Sequence, residues 1–158
     1  MSSALKSVGS IHFTPSKSLL GKKIAILVSE WHLEITEALY NGVIKVLNEN
    51  NLSVHSFRQN VPGSFELTLA AQFMASRTDV DAVICLGCVI QGETKHFDFI
   101  CSAVANGLTE VSLKYNKPVS FGVITANNYE QAVDRAGGKF GNKGEESAWA
   151  AIKMLNIA

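Results

Sequence analysis

The sequence predicts an α/β layer fold built on a mostly parallel sheet, and three observations carry that prediction. The run Lys23 to Val28 is apolar after its lysine, and Ala82 to Ile90 is apolar throughout. Runs of this kind suit parallel strands buried on both faces, since a strand with one wet face would alternate. Segments with apolar residues at helical spacing separate and follow these runs, so strands and helices alternate along the chain. The connections are short, which places consecutive elements side by side.

Each element has its own justification. After the first strand, Leu33 to Asn50 carries Ala38, Leu39, Gly42, Val43, Val46 and Leu47 at helical spacing, and Asn50-Asn51 is a fitting stop. Leu52 to Arg58 reads as a second strand, broken by the turn Val61-Pro62-Gly63. Ser64 suits the cap of a helix from Phe65 to Arg77, with Glu66 favourably placed in its first turn. Ala82 to Ile90 is the third strand, and a helix begins after Thr94 and runs to about Tyr115. Pro118 introduces a fourth strand, Val119 to Thr125. Two helical pieces follow, about Asn128 to Ala136 and about Lys143 to Leu155, separated by the glycine-rich stretch from Ala136 to Gly144. Residues 1–20 are expected to form a loose N-terminal arm in which Ile11-His12-Phe13 suits pairing with another element. Residues 21–158 form the single domain.

At 158 residues the chain is long enough to bury a real core. Its 14 basic and 14 acidic residues leave no basic footprint for nucleic acid and no polybasic membrane face. No stretch approaches the ~20 apolar residues of a membrane span, and Met1 to Leu20 lacks a signal-peptide core, so a cytoplasmic enzyme is the expectation. Cys85 and Cys88 form a C-x-x-C, but within a strand their odd separation sends the two thiols to opposite faces. They are expected to be buried and chemically idle, with no metal site.

A parallel sheet binds ligands at the carboxyl ends of its strands, here the loops after Val28, Arg58, Ile90 and Thr125. Ser29-Glu30-Trp31-His32 offers an indole that either stacks on a flat heterocycle or covers the sheet edge. His32 reads as a local hydrogen-bonding residue. Val61-Pro62-Gly63 turns into Ser64-Phe65-Glu66, where Glu66 either accepts from ligand hydroxyl or N–H groups or complements the helix dipole. The most informative stretch is Gln91-Gly92-Glu93-Thr94-Lys95-His96-Phe97-Asp98. Strand, short loop, then helix aims free amides at the loop, and a phosphate suits that place. His96, one turn into the helix, would exchange protons beside such an anion, or else is a first-turn surface residue. Arg135, Lys139 and Lys143 gather around the late glycines, as a phosphate clamp or as a solvated basic face. No P-loop, dinucleotide fingerprint, nucleophile elbow or His-Glu-x-x-His pair is present.

Together these stretches resemble one family, lumazine synthase of riboflavin biosynthesis. The matching segments are Ser29 to His32, Val61 to Glu66, Gly87 to Asp98, Pro118 to Thr125 and Arg135 to Gly144, in the family's order and spacing from about Leu20 to Ala158. The resemblance implies a three-layer α/β/α sandwich, flavodoxin-like, on a four-stranded parallel sheet. It implies condensation of 5-amino-6-(D-ribitylamino)uracil with 3,4-dihydroxy-2-butanone 4-phosphate to 6,7-dimethyl-8-ribityllumazine, with no metal or organic cofactor. Trp31 would stack on the pyrimidine, Ser64, Phe65 and Glu66 would meet the ribityl chain and ring edge, and Val89 and Ile90 would lie close to the heterocycle. Glu93, Thr94 and Arg135 would hold the phosphate, and His96 would shuttle protons. Phe121, Arg135, Lys139 and Lys143 would come from a neighbouring subunit.

The resemblance further implies self-association into pentamers, extends to a 60-subunit shell, and allows riboflavin synthase as a partner. Departures from the commoner pattern are Trp31 for phenylalanine, His32 for asparagine, Gln91 for arginine, Ser64 for alanine, and a bulkier Phe140. The competing readings are a non-catalytic flavin or lumazine carrier and a shell protein on the same fold. Neither needs both a proton shuttle and a phosphate clamp. Riboflavin synthase activity needs no phosphate site, so Thr94 and Arg135 speak against it.

Overall fold

The computed structural model describes residues 14–158; the segment Ile11-His12-Phe13, read above as a pairing strand, lies outside the described residues. Leu19, in a short 3-10 turn spanning Lys17–Leu19, is already buried in the core. The domain then runs β1 (Ile24–Ser29), α1 (Leu33–Glu49), β2 (Phe57–Val61), α2 (Leu67–Ala75), β3 (Ala82–Ile90) and α3 (His96–Tyr115). It finishes with β4 (Val119–Ala126), α4 (Tyr129–Arg135), β5 (Ala136–Gly138), β6 (Gly141–Asn142) and α5 (Lys143–Leu155).

The four long strands form one sheet in the order β2-β1-β3-β4, every neighbouring pair parallel. The continuous apolar runs explain the layers. Successive side chains of β1 point to opposite faces: Ile24, Ile26 and Val28 join a core under α1 and α5, while Ala25 and Leu27 join one under α2 and α3. Full burial of such a side chain contributes roughly 1.5–3 kcal/mol. Exposed ion pairs contribute about 0–1 kcal/mol each, so these two cores hold the sandwich. Cys88 lies in the first core and Cys85 in the second, confirming that the C-x-x-C is split across the sheet. Burial raises both thiols' pKa, that of Cys88 to about 12.

Three local expectations are corrected. The second strand was expected from Leu52 but begins at Phe57 and continues to Val61. Residues 52–56 instead close α1: Asn51 adopts a left-handed φ of 57°, and the Leu52 N–H donates to the Leu47 carbonyl at 2.8 Å. That is a Schellman ending, with the apolar Leu52 folded back onto the core. Second, α2 starts at Leu67 rather than Phe65, and Ser64 does not cap it. Its hydroxyl turns toward Gly87 of β3, where a Cβ would stand 2.5 Å from Ser64 Oγ. Third, His96 is the first residue of α3, not one turn inside it.

The glycine-rich stretch forms a small antiparallel hairpin of β5 and β6. Gly137 and Gly141 carry φ of 112° and 82°, a backbone that a side chain would strain. Asn142 then caps α5 by accepting from Gly144 N–H at 2.8 Å and Glu145 N–H at 3.3 Å, while its Nδ2 donates to the Ala38 carbonyl of α1 at 3.0 Å. One side chain thereby fixes the start of α5 against α1.

Candidate active site

One cleft opens at the carboxyl ends of the strands and a separate one runs along the edge strand β4. The first, of about 630 Å³, opens above β1 and β3 and is lined by Trp31, Ser64, Phe65, Glu66, Val89 and Ile90, with His96 at its margin. Trp31 is 69% exposed, so its indole face is available rather than spent covering the sheet. The turn Val61-Pro62-Gly63 determines how Trp31 and Glu66 approach each other. A Cβ on Gly63 would sit 3.1 Å from both Trp31 Cδ1 and Glu66 Oε2, so any larger residue there would make the two side chains give way by a few tenths of an ångström.

The loop bearing Trp31 is held at both ends. Glu30 N–H donates to the Val61 carbonyl at 2.9 Å, and the His32 carbonyl accepts from Ile35 and Thr36 N–H groups. His32 itself adopts a left-handed φ of 58°, a strained conformation for a residue with a side chain. Its imidazole, expected to hydrogen-bond locally, makes no such bond among the described residues. It packs instead near the Trp31 ring, with centroids 6.4 Å apart.

Beyond Ile90 the chain is tied down once, by Gln91 N–H donating to the Ala126 carbonyl at 2.8 Å. The amides of Gly92, Glu93, Thr94 and Lys95 then donate to no protein acceptor among the described residues. Thr94 Oγ1 accepts from His96 N–H at 3.4 Å. Glu93, Thr94 and His96 are all exposed, so this loop presents free donors, a hydroxyl and an imidazole to solvent beside the first cleft. An anion approaching it meets donors rather than carbonyls, as the free start of a helix dictates.

The second cleft, of about 590 Å³, lies on the edge strand β4 and under α4. Phe121, Arg135, Phe140 and Lys143 are among its walls, and among the described residues none lines both clefts. Arg135, the last residue of α4, has no hydrogen bond or ion pair with any described residue, and its guanidinium lies over the Phe140 ring at 5.5 Å. Lys143 differs: its Nζ is held 2.6 Å from Glu146 Oε2, so its charge is already answered within α5. Lys139 stands outside the lining, its Nζ 5.2 Å from the same Phe140 ring.

A third hollow, of about 600 Å³, lies at the opposite end of the sheet around Lys23, Phe57, Arg77 and Asp79. There Lys23 pairs with Asp79 at 2.7 Å and Arg77 with Asp79 at 2.9 Å, so the cations are neutralised where they stand. That arrangement suits structure better than anion capture.

Three features of the site escaped the sequence reading. Ile100, on the first inward turn of α3, lines the first cleft, and helical spacing from His96 would have found it. Phe140 walls the second cleft, a role that a lone aromatic between glycines does not announce. Tyr129 Oη donates to Glu34 Oε2 at 2.6 Å, bridging the starts of α4 and α1 across 95 residues of sequence, which no local pattern reveals.

A family model described as 6,7-dimethyl-8-ribityllumazine synthase matches residues 21–158. A protein of Cytophaga hutchinsonii carrying that name is 57% identical over 156 residues, covering 98% of this chain and 98% of its own. One of Parabacteroides distasonis with the same name is 42% identical over 159 residues, covering 100% of this chain and 99% of its own. A third, from Flavobacterium johnsoniae, is 51% identical over 136 residues, covering 85% of this chain and 72% of its own. Together with the parallel four-stranded sheet, a match of this extent shows that the chain belongs to the 6,7-dimethyl-8-ribityllumazine synthase family.

Proposed function

We propose that the protein condenses 5-amino-6-(D-ribitylamino)uracil with 3,4-dihydroxy-2-butanone 4-phosphate, giving 6,7-dimethyl-8-ribityllumazine, inorganic phosphate and water. The observation that carries this reading is the chemical division between the clefts. One holds an exposed indole, a carboxylate and an imidazole; the other holds a guanidinium with no hydrogen bond or ion pair to the described residues. The first suits a flat heterocycle with hydroxyl and N–H groups, and the second suits a phosphate.

Since one chain keeps these groups apart, the complete site joins the first cleft of one subunit to the second cleft of its neighbour. Trp31 stacks on the pyrimidine, Ser64, Phe65 and Glu66 meet the ribityl chain and ring edge, and Val89 and Ile90 floor the heterocycle. Phe121 and Lys143 enter from the adjacent subunit, and Lys139 supports them. Glu93, Thr94 and the neighbour's copy of Arg135 hold the phosphate, with the free amides at the start of α3 as further donors. A repeating heterologous contact of this sort closes into a ring, here a pentamer. The tight Gly137-to-Gly144 hairpin, without insertion, is compatible with assembly of pentamers into a 60-subunit shell.

The chemistry follows from the groups. The uracil's amine attacks the ketone to form a carbinolamine, which loses water to give an imine. His96, an imidazole at the margin of the first cleft, takes and returns the protons. Removal of the proton from the hydroxyl-bearing carbon next to the imine gives an enamine, whose electron pair expels phosphate and leaves an enol that takes up a proton to become a ketone. Arg135, Thr94 and the loop amides stabilise the negative charge on the departing oxygens. The second amine then closes on the new carbonyl and water leaves again. Holding two reactive partners together supplies on the order of 7–11 kcal/mol of barrier reduction, so positioning outweighs any single side chain.

The test follows lumazine absorbance and released phosphate together, with light scattering to give the assembly mass. Product above the spontaneous rate, in equal amount with phosphate, is the expected result. Tight lumazine binding without turnover would instead establish a carrier.

A further inference from the structure

Arg135 raises a physical question that its charge does not answer. A long side chain without a hydrogen-bonding partner samples many rotamers, and ordering it costs affinity when a ligand binds. Here the guanidinium rests 5.5 Å from the centroid of Phe140, a half-buried ring in the wall of the same cleft. Lys139 Nζ lies 5.2 Å from that ring as well. The backbone that carries the ring is tied to the helix that carries Arg135. Phe140 N–H donates to the Asp134 carbonyl at 2.8 Å, tying the hairpin tip to the last turn of α4. Gly138 allows the hairpin to lie flat on that turn, since a Cβ there would stand 2.8 Å from Asp134 Cα and from the Val133 carbonyl oxygen.

We propose that Phe140 is a positioning residue for phosphate recognition: its ring face holds Arg135 oriented toward the second cleft before any ligand arrives. This rests on the reading of Arg135 as the phosphate-binding arginine. A contact with an aromatic ring attracts the cation weakly without supplying an oxygen acceptor, so the guanidinium keeps its N–H groups for a phosphate. A carboxylate partner would hold the side chain equally well but would consume those donors and cancel the charge. Lys139 on the same ring keeps a second positive charge beside the first.

The experiment compares Phe140→Leu, which keeps apolar bulk without a ring, with Phe140→Tyr, which keeps the ring face, in the assembled enzyme. Steady-state kinetics are measured for each substrate separately, with inorganic phosphate as a competing inhibitor. Phe140→Leu is expected to raise KM for the phosphorylated substrate about two- to fivefold, the effect of losing one cation–π contact at a partly exposed site. Phosphate inhibition weakens by the same factor, while kcat and KM for the uracil hold, and Phe140→Tyr restores both. Phe140→Leu matching the parent enzyme, or raising both KM values together, would overturn the proposal in favour of simple hairpin packing. Arg135→Ala serves as the control. If it leaves phosphate inhibition unchanged, the reading of Arg135 falls and the inference with it; if it weakens inhibition while Phe140→Leu does not, only the inference falls.

Discussion

Replacing Ser29 with alanine should make this protein more stable, because the wild-type hydroxyl is buried without a partner among the described residues. Ser29 is fully buried at the end of β1, and Ser64 is 6% exposed at the floor of the first cleft. Neither Oγ has a hydrogen-bond partner among the described residues, and both are out of reach of solvent. They converge on Gly87, where a Cβ would stand 3.3 Å from Ser29 Oγ and 2.5 Å from Ser64 Oγ. An unpaired buried hydroxyl costs about 1–3 kcal/mol, whereas deleting one oxygen forfeits only a few dispersion contacts of about 0.1–0.2 kcal/mol each. The net expectation for Ser29→Ala is a gain of about 1 kcal/mol, or roughly 2–4 °C in Tm for a domain of this size.

Ser64→Ala should gain similar stability without ligand, but with a catalytic cost. The residue lines the cleft while its Oγ is shielded beside Gly87, so a turn about χ1 is needed to bring the hydroxyl to a ligand; with that turn made on binding, its loss should raise KM for the uracil about two- to tenfold. Ser29 lies outside the lining, and its removal should leave both KM values in place. Thermal unfolding must be compared at one protomer concentration, because assembly raises the apparent Tm. A Ser29→Ala protein less stable than the parent would show that the hydroxyl is bonded in the folded state, and the reasoning from unpaired oxygens would fail.

Three further expectations follow from the same structure. His96→Ala should slow turnover by about 100-fold or less, because imidazole contributes proton transfer and not the positioning of both substrates; complete loss of product in a folded, lumazine-binding variant would contradict this. Asn142→Ala removes the α5 cap and leaves the Ala38 carbonyl without its donor, so urea unfolding should show a loss of about 2–4 kcal/mol, while Asn142→Asp, which keeps the cap, should lose less. Stability should also decline in acid. Hydrogen bonds from Arg77 and then Lys23 hold the Asp79 carboxyl well below the usual carboxylate range, and Arg58 lowers that of Glu37. For carboxyls with depressed folded pKa values the stabilisation is present above the unfolded value near ~4 and is lost as pH falls through the folded values. The urea midpoint should therefore drop between pH 5 and pH 3 by less in an Asp79→Asn, Glu37→Gln variant than in the parent; equal drops would exclude these two groups as the cause.

Much of the fold was legible because its signals are local. The unbroken apolar run from Ala82 to Ile90 matches β3 at both ends, and Lys143 to Leu155 matches α5. The errors arose where a side chain served a distant element instead of its neighbours. Leu52 looks like the start of a strand, yet it folds back to close α1. Ser64 looks like a cap, yet its hydroxyl faces Gly87 on β3. Capping and strand patterns report what a residue can do next to itself, and tertiary packing decides which option is taken.

The loops that line the clefts follow the same division. The order of strands and helices, the split of Cys85 from Cys88, and the positions of Trp31, Glu66, His96 and Arg135 at the carboxyl ends of strands or beside them are consequences of side-chain period and chain order, which sequence alone determines. The tertiary structure alone decided that these residues fall into two clefts, that Lys143 is held by Glu146 while Arg135 is not, and that the Phe140 ring lies beside the guanidinium. Those outcomes depend on distances between groups far apart in sequence, set by how β4, α4 and the small hairpin pack, and no periodicity along one chain encodes such distances.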